Sequence, residues 1–109
     1  MTNNEHLDDV ANRAFCEYRR NRSPDALAVV YDRTSVRLLA VAMHLCATAS
    51  EAEDAVQDTF MVALEHPERW DPERPLEPWL LGILANRVRQ ARRSAARTPD
   101  ASRLGHPEP

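Results

Sequence analysis

Apolar residues recur at helical spacing along most of the chain, and no segment alternates with the two-residue period of a strand. Leu7, Val10, Ala11, Ala14, Phe15 and Tyr18 predict an amphipathic helix over residues 6–20, closed by the polar run RRNR. Ser23 then offers an N-cap with Pro24 at the first helical position, and Leu27, Val30, Tyr31, Leu38, Val41, Ala42 and Leu45 form a stripe of over twenty residues. A third helix opens in SEAEDAVQDTFMVAL, where Ser50 and Glu53 have capping-box spacing. Pro67 stops it. The segment HPERWDPERPLEP holds four prolines, each without an N–H and each biasing its predecessor away from the helical region, which predicts a stiff loop. A last helix runs from about Leu76 to about Ala96. Its first turns, WLLGILA, are apolar nearly all round; Leu80, Leu84, Val88, Ala91 and Ala95 continue one buried stripe.

The pattern predicts an all-α fold, a single domain of about four helices over residues 1–96, with 97–109 as a linker or frayed tail. A chain of 109 residues buries about two thirds of its unfolded surface around one core. No apolar run approaches a membrane span and the start MTNNEHLDD is not a signal peptide, so the expected location is the cytoplasm.

The third helix raises a question. Ala52, Val56, Thr59, Phe60 and Ala63 share one side, whereas Asp54, Gln57, Asp58, Met61 and Glu65 fall on the other, an outward acidic strip with a methionine in it. The last helix carries the opposite character: Asn86, Arg89, Gln90, Arg93 and Arg97 lie across from its apolar stripe. Amides pair with base edges and guanidinium groups with phosphates, so this face suits nucleic acid. On pattern alone the plainer reading comes first, a solvated helix end whose bases complement the macrodipole.

Charge sharpens the contrast. The net charge is −3, but residues 1–65 hold eleven acids against six bases and residues 66–109 hold six against eight, with the bases crowded into RVRQARRSAAR. Every base is arginine, the better partner for phosphates and base edges.

Enzymatic chemistry finds no support. No Ser/His/Asp or Cys/His set is placed by spacing, and glycines only at 82 and 105 leave no phosphate-cradling loop. Cys16 and Cys46 occupy apolar helix positions without metal-ligand spacing, which predicts buried reduced thiols; His6, His44, His66 and His106 are scattered. No cofactor and no metal are expected.

The order of parts adds a resemblance. A long helix, an acidic helix reading EAEDAVQDTF, a proline-rich loop reading RWDPERPLEPW and a helix reading WLLGILANRVRQARR together resemble, over about residues 24–93, the first structured domain of the extracytoplasmic-function sigma factors. These are promoter-specificity subunits of bacterial RNA polymerase. The resemblance implies that Asp54, Gln57 and Asp58 contact the clamp helices of the polymerase β′ subunit; extension of the wheel adds Met61 and Glu65. It also implies that the last helix and the loop recognise the minus-ten promoter element and hold its non-template strand. Asn86 matches a base-contacting asparagine, and Arg89, Gln90 and Arg93 share its face. Trp70, Asp71 and Arg74 are the loop residues equipped for an extruded base, although Trp70 stands where the family has a phenylalanine that plugs the core. Trp79 matches a tryptophan at the upstream edge of the melted region, and reads equally as wedge or core plug. An anti-sigma protein is a further partner that the resemblance admits. The C-terminal minus-thirty-five-binding domain usual in the family is absent from this chain. Two alternatives stay open: a helical module that binds polymerase or a regulator without promoter activity, and a generic helical DNA-binding domain.

Overall fold

A computed structural model of the chain describes the backbone of residues 3–97 and the side chains of residues 9–96. Four helices, α1 (Asn3–Asn21), α2 (Pro24–Leu45), α3 (Ala49–Glu65) and α4 (Leu76–Arg97), follow in order, with a 3-10 turn at Pro67–Arg69 before α4. Residues 98–109, where most of the expected linker falls, lie outside the described residues.

Helix α2 begins as its sequence dictates. The Ser23 hydroxyl accepts a hydrogen bond from the Ala26 N–H at 3.2 Å, and Pro24 occupies a first-turn position whose N–H has no helical partner in any case. Its core line is Ala26, Val30, Thr34, Leu38 and Ala42. Thr34 and Thr59 are buried without cost in unmet polarity, because each hydroxyl donates to the carbonyl four residues back at 2.8 Å. Tyr31, expected in the buried stripe, is 51% exposed, with its ring tilted against Phe60 at 5.0 Å.

The cap of α3 differs from expectation. Thr48, not Ser50, is the N-cap: its hydroxyl accepts from the Glu51 N–H at 3.1 Å, and the Glu51 carboxylate accepts from the Ala47 N–H at 3.1 Å. The segment TASEAE holds two overlapping Ser/Thr-x-x-Glu frames, and the upstream one gains extra helix, including the bond from the Ala52 N–H to the Thr48 carbonyl. Ser50 and Glu53 are left exposed in the first turns.

Phe15, Leu38, Trp70, Leu76, Leu80 and Leu84 are the large side chains at the centre of the core. Buried Leu80, Leu84 and Val88 follow the expected line on α4, but Ala91 and Ala95 are exposed. Both border a cleft of about 360 Å³ with Cys46 and Asp54. Both cysteines are free and partly buried rather than fully buried.

Helix α1 clips the loop at both ends. The Leu64 carbonyl, near the end of α3, accepts from the Tyr18 hydroxyl at 3.3 Å and from Arg22 Nη1 at 3.0 Å. Leu76, opening α4, donates its N–H to Asn12 Oδ1 at 2.9 Å. These are backbone groups that a helix terminus leaves unpaired, and α1 satisfies them from across the fold. Arg22 does so from a left-handed backbone, φ 57°, a position that glycine fills at the end of many helices. Its charged hydrogen bond and its seat 5.3 Å from the Tyr18 ring centroid offset a strain on the order of 1 kcal/mol.

Candidate functional site

The outward residues of α3 stand as its wheel predicts. Asp54, Gln57, Asp58 and Glu65 are exposed, and Met61 is 50% exposed. They do not form one continuous strip with one neighbour. Asp58, Met61 and Glu65 make one wall of a groove of about 990 Å³ whose other wall is α4, through Trp79, Asn86 and Gln90. Asp54, with Asp58, borders the smaller cleft toward Arg87 and Arg92. Gln57 turns the other way, onto an apolar cleft bordered by Tyr31, Val36, Leu39 and Phe60. Part of the acidic face, Asp58, Met61 and Glu65, and part of the amide-bearing face, Asn86, Arg89 and Gln90, are thus opposite walls of the same groove.

On α4, Asn86, Arg89, Gln90 and Arg93 are all exposed. Arg89 Nη2 reaches Asn86 Oδ1 only at 3.4 Å, a long hydrogen bond that an incoming partner displaces at little cost. Arg93 lies past the groove, as does Arg97, whose side chain is outside the described residues. Trp79 is partly buried. Its ring tilts against Phe15 at 5.8 Å, and it also lines the groove.

The loop is organised by Trp70, which is 2% exposed. Its ring meets Phe15 edge-on at 5.4 Å, its Nε1–H donates to the Arg74 carbonyl at 3.1 Å, and the Arg19 guanidinium sits 5.9 Å from its centroid. Trp70 offers no exposed ring face in this fold and packs as a core anchor. Asp71 builds the next turn by accepting the Glu73 N–H at 3.0 Å, and its carboxylate lies 3.7 Å from Arg74 Nε. Arg74 points into solvent.

Several residues at the site escaped the sequence, Gly82 and Arg87 in the groove among them. His66 and Arg69 join the groove at its loop end. Arg92 donates to the Leu45 carbonyl, tying α4 to the C-terminus of α2. A basic residue on an exposed helix face gives no sign of such a tether. Glu77, in the first turn of α4, is paired with Arg37 at 3.1 Å. Among the described residues, no group of His, Cys, Asp or Glu is placed to hold a metal ion, and no helix is long and apolar enough to cross a membrane.

Residues 30–98 match the family model described as Sigma-70 region 2. The chain belongs to the sigma-70 region 2 family. Similar curated proteins include the ECF RNA polymerase sigma factor SigL of Mycobacterium tuberculosis, 37% identical over 70 residues, covering 63% of this chain and 40% of the relative. The RNA polymerase sigma factor CnrH of Cupriavidus metallidurans is 29% identical over 79 residues, covering 72% of this chain and 41% of the relative. The chain thus spans about two fifths of the length of the curated relatives it matches. No solved structure matches it significantly. Helix α1 and the Arg22 that follows it precede the matched segment of this region 2 domain, yet Asn12, Phe15, Tyr18 and Arg22 hold the end of α3, the loop and the start of α4.

Proposed function

We propose that this chain is the part of a transcription initiation factor that binds core RNA polymerase and recognises and melts the minus-ten element of a bacterial promoter. The observation that carries this reading is the groove between α3 and α4 in a chain of the region 2 family: carboxylates on one wall, amides and an aromatic face on the other. Exposed carboxylates at Asp54, Asp58 and Glu65 suit a basic partner helix, the clamp helices of β′, with Gln57 as a neutral hydrogen-bonding neighbour and Met61 as an adaptable apolar contact. Asn86 and Gln90 present amides to base edges, while Arg89, Arg93 and Arg74 reach phosphates; Asp71 holds the turn that presents Arg74. Extruding a base costs a few kcal/mol, and the groove side of Trp79 offers that base a stacking surface in return. The work is recognition and strand capture, with no bond chemistry by the domain, in the cytoplasm where polymerase and chromosome meet.

Charge reversal tests it. Asp54→Arg combined with Asp58→Arg should weaken association with core polymerase at least about a hundredfold, since each charge-assisted contact is worth roughly 1.5 to 3 kcal/mol. Helical circular dichroism should be unchanged, both side chains being exposed. Unaltered affinity of the folded variant would overturn the docking face.

A further inference from the structure

Helix α4 carries a glycine for which the fold has no use. Gly82 lies well inside the helix, has no positive φ, and is exposed. Among the described residues a Cβ added there meets nothing within 4 Å, so neither a left-handed turn nor a tight crossing of these helices excludes a side chain. Glycine inside a helix nevertheless weakens folding, by on the order of fivefold in the equilibrium relative to alanine. An unhelpful residue in an otherwise regular helix, with its internal explanations removed, points to something outside the chain.

Its position indicates what that is. Gly82 is one turn before Asn86 and lies on the helical wheel between Asn86 and Arg89, and it borders the groove together with both. Its neighbours along that stripe are Pro78 and Trp79 one turn before and Asn86 and Arg89 after, with Asp58 and Glu65 on the facing wall. The Arg89 guanidinium attracts phosphate and repels the basic helix suited to the α3 wall. We infer that Gly82 is a steric clearance for nucleic acid: a single strand passes over the α4 backbone at this point, with a sugar or base edge in the space a side chain would fill, and Asn86 and Arg89 hold it one turn further on. This rests on the proposed reading that the exposed stripe of α4 faces DNA.

The test uses core polymerase assembled with the chain, and a short fluorescein-labelled single-stranded DNA selected from a randomised pool with the wild-type complex. Gly82→Ala should raise the Tm of the free chain by about 4 to 8 °C, while weakening DNA binding about tenfold. Gly82→Leu should weaken it further, with DNA binding of both variants compared at core concentrations that saturate the chain. Wild-type DNA affinity in Gly82→Ala, beside a loss in Asn86→Ala, would overturn the clearance and leave the reading of α4 standing. A loss at Ala that does not deepen at Leu assigns the glycine to helix flexibility and overturns the clearance too. If no single strand binds the wild-type complex, or if Asn86→Ala and Gly82→Ala both bind normally, the reading of α4 falls, and the clearance with it.

Discussion

Asn12, on the first helix, accepts a hydrogen bond at 2.9 Å from the backbone N–H of Leu76, the residue that opens the last. The bond caps α4 from across the fold, at a helix end for which the preceding Pro75 has no side chain to offer. Asn12→Ala should therefore destabilise the domain by about 1 kcal/mol, a Tm drop of about 4 to 8 °C. Asn12→Asp keeps an acceptor oxygen and should retain most of the stability. Thermal melts of the two variants check this; equal loss in both would mean that the acceptor is not what matters.

Thr48 and Ser50 offer a second comparison. Because Thr48 caps α3 and Ser50 lies exposed inside it, Thr48→Ala should cost about 1 kcal/mol. Ser50→Ala should be neutral or slightly stabilising, alanine being the better helix former. Urea titrations of both variants would settle which frame is the cap, and the reverse order would restore Ser50.

Trp70 is a core residue, so its loss should appear in stability before it appears in DNA binding. Trp70→Ala should cost about 3 to 5 kcal/mol, and Trp70→Phe less, since a ring still meets Phe15 and only the bond to the Arg74 carbonyl disappears. At a temperature where it remains folded, Trp70→Phe should bind single-stranded DNA as the wild type does. A selective loss of DNA binding at full stability would return Trp70 to the contact surface.

Reading of bases and holding of phosphates should separate on α4. Asn86→Ala should flatten the preference at one minus-ten position, a discrimination of about 1 to 3 kcal/mol. Arg93→Ala should weaken all promoters alike and lower the salt dependence by about one phosphate contact. A panel of promoter variants transcribed by reconstituted holoenzyme measures both, with a minus-thirty-five-binding domain fused on where initiation requires one. Equal weakening of every promoter by Asn86→Ala would exclude base reading at that residue.

How much of this was legible in the sequence depends on the range of the interaction. Helices α2 and α4 follow from periodicity and from Ser23 with Pro24, because those signals act within a turn or two. The outward set Asp54, Gln57, Asp58, Met61 and Glu65 was legible for the same reason. The α3 cap was not, since two overlapping frames offer the same local chemistry and the choice falls to total helix length. Ala91 and Ala95 look like core because small apolar residues do, yet both are exposed. Nor does any pattern announce that α3 and α4 share a groove, or that Asn12, Arg22 and Arg92 act on backbone groups more than forty positions away. Polar residues on helix surfaces read as solvated until the partner element is known.

The contact between Asn12 and Leu76 spans 64 positions, about two thirds of the described chain. A nascent chain emerges from its beginning, so α1 is made first and must wait for the start of α4 before its polar side chain finds its acceptor role. Until then Phe15 lacks both tryptophans that cover it, and α1 has chiefly α2 to lean on. Closing so distant a pair carries a loop entropy that local helical contacts do not, which puts the docking of α4 onto α1 late in assembly. The junction of α1 with the start of α4 is thus late to take shape, completed by a helix made well before it.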